Sequence, residues 1–573
     1  VSGLDYIVLL VYVAGVFLIG GIFGGKIKNS KDMFAAGGRS PWWVSGLSNF
    51  MTMFSAGTFV VWGGIAYKHG FVAISICLCN GIAAMLVGYF VAGHWKKIGV
   101  TTGAEFIELR FGKAALQFYT WTSMAYKMLA VGVALYSVAV LLSALVPLPD
   151  NIVFSDPETG HFNVFWAVVL FGGIVIIYTV IGGLWAVLMT DVLQFIVLTL
   201  AVAIVAPLIL GHESVGGFGS FLEKAPQGFL SPVAGEFTWF FLVGWMVMQF
   251  FSIGGEWGFV QRFLCVSSER DAKKSSWLFG IMYLVSPFIW MLPPMVYRFI
   301  NPDADPKEAY ILACKEVLPP GAVGLMLAAM FSATASMVDS QLNVFSGVLT
   351  RDFYKALFRP DSTEERLVSV GRAITLGLGL VLIGISLAVP HMGGVENVVL
   401  SIGALLITPL MAPTVWGLLS RRLDVKAVWI TAGTSFFIGA IIRFGFSGGG
   451  FLTGFEQLDT ASTWIQSHYR MMEMIVGVLL PICILTVLEW RSRSTNAGWL
   501  RVSEHAAAWV VAEHPGSSDL PARMVVWNIG ALGLLMLVLA LIRDNASNVL
   551  LVFAIALLMI AGGISFYLWK NHE

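Results

Sequence analysis

Long apolar stretches divided by short polar ones run the whole length of the chain. They fall near residues 5–23, 41–66, 70–93, 115–146, 163–184, 187–210, 237–260, 275–297, 317–350, 367–389, 394–419, 425–446, 470–490, 524–542 and 547–569. A bilayer core about 30 Å thick is crossed by about 20 apolar helical residues. Lipid offers no partner to a bare backbone N–H or C=O, so each stretch is expected to be a helix. The pattern predicts an all-α polytopic membrane protein of about 15 spans.

Two of these spans carry helix-breaking residues. The second holds Phe54-Ser55-Ala56-Gly57-Thr58 at its middle, and the seventh holds Ser252-Ile253-Gly254-Gly255-Glu256-Trp257-Gly258. Interruptions at corresponding places in two halves mark transporters built from inverted repeats, with solute bound at the breaks. Close helix packing on small residues is the plain alternative. The expected organisation is a first five-span repeat over 41–212 and a second over 213–420. An extra span with a cytoplasmic loop (1–40) precedes them. About four extra spans follow within 421–573, around a cytoplasmic loop at 491–523.

Charge sets the expected orientation and excludes several functions. Only 12% of the 573 residues are charged and 57% are hydrophobic, with a mean hydropathy of +0.82; soluble proteins carry about 25% charged residues. Placing the N-terminus outside puts 25 of the 34 Lys and Arg residues on the inner side, as the positive-inside rule requires. The expected location is the inner cell membrane, multi-pass, with the N-terminus outside and the C-terminus in the cytoplasm. The first span lacks the preceding basic stretch of a signal peptide. The balanced charge of 34 basic and 34 acidic residues offers no footprint for nucleic acid. The segment 491–523 is too short for a catalytic domain, and no zinc-protease, nucleophile-elbow or phosphate-loop motif is present, so an enzyme or a primary pump is not expected. The five cysteines lack metal-ligand spacing.

Charged side chains inside spans are costly and mark function. Here they are Lys127, Asp191 and Asp339, with Glu256 at the second break. Ser332, Ser336, Asp339 and Ser340 recur at three- and four-residue spacing and so share one helix face. Hydroxyls with a carboxylate form a hard-oxygen set that suits Na⁺ or a proton rather than a soft metal. For Asp339 the plain alternatives are a neutral, protonated acid or a structural pair with Lys127.

Several of these residues resemble one known family. Tyr178-Thr179-x-x-Gly182-Gly183-Leu184-x-Ala186 with Thr190-Asp191, then Gln261-Arg262, then Ser332 to Asn343 and Thr350-Arg351-Asp352-Phe353-Tyr354 resemble signatures of the sodium/solute symporters, which include sodium–sugar, sodium–proline and sialic-acid transporters. The resemblance implies a LeuT-like five-plus-five inverted repeat, alternating access and coupling to Na⁺, without an organic cofactor. For the principal ion site it implies the carbonyls of Met51, Phe54 and Ala333 and the hydroxyl of Ser336, with Met337 replacing a second hydroxyl. For a second ion site it implies Asp191, Asp339 and Ser340, an acid standing at 339 where a hydroxyl is usual. For the solute it implies Thr58, Ile76, Cys77, Asn80, Gln249, Tyr283 and Ser401, with Ser252 at the inner gate. The acid, the lysine and the gate tyrosine of the galactose-type site are missing. Partners are therefore expected to be Na⁺, the bilayer and a small polar solute, a sugar or polyol before an anion. A proton-coupled or amino-acid or organic-acid symporter, and a non-transporting nutrient sensor, are the alternatives. The oligomeric state is left open.

Overall fold

A computed structural model describes residues 3–24, 33, 38, 40–148, 152–319, 321–392, 403–446, 450–453, 455–511, 523, 526–527, 529–530, 533–534, 536–537 and 548–570. The first helix, α1 (Gly3–Gly24), is unbroken. The next span is not. Its first half, α2 (Trp42–Thr52), stops at Met53, and Phe54 and Ser55 leave helical geometry. The chain resumes as a wide turn over Thr58–Trp62 and then α3 (Gly63–His69). α4 (Val72–Phe90) and α5 (Ala92–Ile98) follow, then the short α6 (Gly103–Phe111) and the long α7 (Lys113–Leu145). A small antiparallel hairpin, β1 (Ser155–Asp156) against β2 (His161–Phe162), occupies the loop after α7.

α8 (Val164–Leu210) is 47 residues long. Drawn straight, it would measure about 70 Å, more than twice the bilayer core. It is divided at Gly183, whose φ of 56° and ψ of −159° belong to a region open only to glycine. The two expected spans 163–184 and 187–210 are the arms of this element. The second broken span consists of α9 (Trp239–Gly255) and α10 (Trp257–Leu264), parted at Glu256 with ψ 131°.

α11 (Glu269–Val285) and α12 (Leu292–Ile300) precede α13 (Ala322–Val348), and α14 (Glu364–Ala388), α15 (Gly403–Leu419), α16 (Val425–Ala440), α17 (Leu480–Arg491), α18 (Ala497–Val511) and α19 (Asn548–Lys570) complete the chain. Among the described residues, eight helices are long and apolar enough to cross a membrane. The broken and shorter helices stand at the other apolar stretches, except that 524–542 lies mostly outside the described residues.

α13 is the centre of the bundle. Of the most apolar stretch within the span Ala322–Ala356, 89% is buried, whereas the corresponding share within Glu364–His391 is 28%, which places that span at the periphery. α13 packs along α8 and also meets α1, α2, α7 and α14, while α4 is packed against both α9 and α11. Asp5 of α1 caps α13, its Oδ1 accepting from the amides of Gly321 (2.8 Å) and Gly324 (2.6 Å). Those first-turn donors have no partner within their own helix, and their partial positive charge favours a carboxylate. Gly324 permits the approach, since a Cβ there would come 2.3 Å from the Asp5 carbonyl oxygen.

Candidate functional site

An oxygen-rich cluster lies where α2, α8, α10 and α13 converge. Asp191 accepts hydrogen bonds from the Ser336 hydroxyl on one oxygen and the Ser48 hydroxyl on the other. Arg262, fully buried at the end of α10, enters from the opposite side. Its Nε donates to Ser48 Oγ at 3.0 Å, and its Nη2 donates to Ser340 Oγ at 2.5 Å and lies 3.7 Å from Asp191 Oδ2. Its Nη1 donates to the Gly258 carbonyl (3.0 Å) and to Gln261 Oε1 (3.1 Å), which satisfies a buried cation as its burial requires. Asp339 accepts from Tyr178 Oη at 2.6 Å and from Ser340 Oγ at 3.4 Å. With both acids ionised, two carboxylates face one guanidinium and one monovalent cation would balance the set.

The division of α8 assembles this cluster. Tyr178 and Asp191 would stand about 20 Å apart along a straight helix, yet their partners Asp339 and Ser336 sit within one turn of α13. A bend at Gly183 lets one element reach that turn from both of its arms. Beside Ser48 in the chain, both amide atoms of Asn49 are buried with no hydrogen-bond partner among the described residues. Buried polar atoms are seldom left so, and such places commonly hold an ion or water.

A cavity of about 180 Å³ adjoins the first break. Phe54, Ser55 and Thr58 line it from the break, Cys77 and Asn80 from α4, Tyr126 and Lys127 from α7, Trp245 and Gln249 from α9, and Tyr283, Ser286 and Trp290 from α11 and the turn after it. Phe54 and Trp290 meet edge to face with centroids 4.1 Å apart. Asn80 Oδ1 accepts from Trp245 Nε1 at 2.9 Å, which leaves the Asn80 NH₂ free of that bond. Gln249 and Tyr283 make no side-chain hydrogen bond to a described residue, and Ser286 Oγ is buried without one. Aromatic walls with a few convergent polar groups are the composition of a small-molecule site.

A family model described as the sodium:solute symporter family matches residues 33–431. The chain belongs to the sodium:solute symporter family. It is a Na⁺-coupled symporter of that family, a transporter rather than an enzyme. The sodium/sialic acid symporter NanT of Aliivibrio fischeri is 26% identical over 398 residues, 66% of this chain and 75% of that protein. The human sodium/myo-inositol cotransporter 2 is 26% identical over 540 residues, 84% of this chain and 76% of that protein. The sodium/glucose cotransporter of Vibrio parahaemolyticus is 26% identical over 436 residues, 69% of this chain and 76% of that protein. Among solved structures, a substrate-bound, outward-open Na⁺-coupled sialic acid symporter superposes with a TM-score of 0.70 at 20% identity, covering 86% of this chain and 99% of its own. The nucleobase-cation symporter Mhp1, closed with a bound hydantoin, gives 0.50 at 14% identity over 84% of this chain and 99% of its own. These likenesses establish the LeuT-like fold.

In this symporter the residues expected from the sequence separate into two neighbouring groups. Ser336, expected at the principal ion site, donates to Asp191, expected at the second, so the two are contiguous. Met51 lies in the last turn of α2 and Phe54 just past its end, the Met51 carbonyl accepting from the Phe54 amide at 3.0 Å. Buried Ala333 precedes Thr334, whose Oγ1 accepts from the Ala56 amide at 2.9 Å and ties the break to α13. Thr58, Cys77, Asn80, Gln249 and Tyr283 line the one cavity together. Ser252 does not; its hydroxyl lies 3.4 Å from Glu256 Oε2. Ser401 lies outside the described residues.

The structure removes the alternative of a structural pair between Lys127 and Asp339. Lys127 is bound to Glu256 at 2.6 Å and not to Asp339. Glu256 Oε1 also accepts from Gln341 Nε2 at 3.3 Å. Sequence reasoning missed Ser48, Ser286 and Trp290, which sit in apolar runs like many other membrane serines and tryptophans. It flagged Lys127 and Glu256 as costly buried charges, but the spacing between α7 and α9 carried no sign that they meet.

Proposed function

We propose that this symporter imports a small neutral polar solute, a sugar or polyol, together with Na⁺ by alternating access. The observation that carries the reading is the cavity at the helix break, where Asn80, Gln249, Tyr283 and Ser286 offer neutral hydrogen-bonding groups beside the Phe54 and Trp290 rings. Sugars bind such surfaces by their hydroxyls and by the C–H faces of the ring. Lys127 is the one charged side chain among the described lining residues, and Glu256 neutralises it. A free anionic substrate would find no uncompensated cation there. The glucose and myo-inositol named for two of the relatives are neutral solutes of the same class.

Na⁺ is assigned to Asp191, Asp339, Ser336 and Ser340, with the carbonyls of Met51, Phe54 and Ala333 completing the adjoining principal site. An ion there would join α2, α8 and α13 and hold the solute cavity in its binding shape. An inside-negative potential adds about 2.3 kcal/mol per charge per 100 mV. That drives inward accumulation of a neutral solute carried together with the cation; we place the N-terminus outside and the C-terminus in the cytoplasm. A second reading, proton coupling, is favoured by the paired carboxylates, since Asp339 stands within hydrogen-bond reach of Tyr178 and Ser340 but of no cation closer than Arg262's bond to Ser340.

Uptake of labelled sugars, polyols, amino acids and organic acids into proteoliposomes, under an inward Na⁺ gradient, a proton gradient or neither, tests the proposal. Sugar or polyol accumulation only with Na⁺ supports it. Accumulation with protons alone transfers the coupling to Asp191 and Asp339 as titrating groups, and uptake of organic acids alone overturns the solute assignment.

A further inference from the structure

The helix α18 is firmly docked under the ends of the membrane helices. The buried Arg110 donates to the carbonyls of Gly417 (3.0 Å) and Ser420 (3.1 Å) at the end of α15, and to Asn496 Oδ1 (3.1 Å) just before α18. Arg501 Nε donates to the Leu109 carbonyl at 3.0 Å. The Trp509 ring lies against Gly99, where a Cβ would come within 2.1 Å of it. Held in this way, α18 leaves a cleft of about 660 Å³ between itself and the ends of α5 and α15.

The cleft has a basic rim and an apolar wall. Lys97 and Arg421 supply the charge of the rim, with His94 beside them, Leu418, Leu419 and Val502 form part of the wall, and no acidic side chain is among its described lining residues. His94 and Lys97 close the span that ends at Ile98, and Leu419 ends α15, so the cleft stands at the membrane–water boundary. Leu419 (43%) and the neighbouring Leu500 (52%) are exposed at that level. Trp499, half-buried in the cleft, is of the residue type that concentrates at bilayer interfaces.

We infer that this cleft binds an anionic phospholipid, its phosphate on Lys97 and Arg421 and its acyl chain along Leu419. The positive-inside rule assigns this face to the cytoplasmic leaflet, where anionic lipids are attracted by basic clusters. A soluble phosphate would meet the same cations but leave the apolar wall bare. The site is separate from the solute cavity, and its occupancy would brace α18 against the helices that carry the bundle's inner ends.

Native mass spectrometry of the purified full chain in neutral detergent, titrated with phosphatidylglycerol or phosphatidylcholine of the same acyl chains, tests the inference. The expected result is preferential retention of phosphatidylglycerol. Lys97→Gln/Arg421→Gln should weaken it about thirtyfold, at about one kilocalorie per mole for each basic residue, and leave phosphatidylcholine unchanged. Leu419→Ser should weaken retention of the lipid without altering any binding of inorganic phosphate, and this arm stands if the double variant folds poorly. Equal retention of both lipids, unchanged retention in the variants, or displacement of the lipid by inorganic phosphate at equal concentration would each overturn it.

Discussion

Lys127 Nζ lies 2.6 Å from Glu256 Oε2, and both side chains are buried. The pair joins the middle of α7 to the break between α9 and α10, across the two halves of the chain. Desolvating two charges costs several kcal/mol each, and their attraction repays this only while both are present. Lys127→Met or Glu256→Gln alone should therefore lower stability by about 3–5 kcal/mol. The double variant Lys127→Met/Glu256→Met should recover most of the loss. Thermal unfolding in detergent measures this, and single variants as stable as the parent would show that the pair is not desolvated.

Asp339 is the departure that distinguishes the ion cluster. Asp339→Asn preserves the shape and can still accept from Tyr178, but it leaves Asp191 and Arg262 formally balanced and removes the demand for a further cation. Uptake by this variant is expected to lose its dependence on Na⁺. Retention of full Na⁺ coupling in proteoliposomes would remove Asp339 from the ion site.

Gln249 and Tyr283 are expected to serve the solute and not the ion. A neutral hydrogen bond contributes about 0.5–1.5 kcal/mol, so Gln249→Ala or Tyr283→Phe should raise KM for the solute about two- to tenfold. The Na⁺ concentration for half-maximal uptake should stay within twofold. A change confined to the Na⁺ response would contradict the division between the two groups.

Gly183 is the residue on which the ion cluster depends most from a distance. Any side chain at φ 56° and ψ −159° is strained by about 1–3 kcal/mol. Gly183→Ala should lower the yield of folded protein and its melting temperature. It should also weaken Na⁺ coupling in what folds, because Tyr178 and Asp191 reach α13 only through this bend. An active variant with unaltered Na⁺ response would show that the bend is not what aligns them.

Much of this protein was legible in its sequence because a bilayer leaves few choices. Apolar length alone predicts the spans, and the small and polar residues at 54–58 and 252–258 predict the two interruptions. The stripe Ser332, Ser336, Asp339 and Ser340 is a consequence of helical periodicity, which needs no knowledge of the neighbours. Partnership between helices was not legible. Lys127 had two acids within plausible reach by sequence, and only packing chose Glu256 over Asp339. Ser48 joined the cluster because α2 crosses α8 there, and Ser336 turned toward Asp191 because the bend at Gly183 carried the carboxylate to it. Each of these contacts links residues more than a hundred positions apart, and no local pattern records such a distance; the tertiary fold decides it by which buried charges it can leave paired.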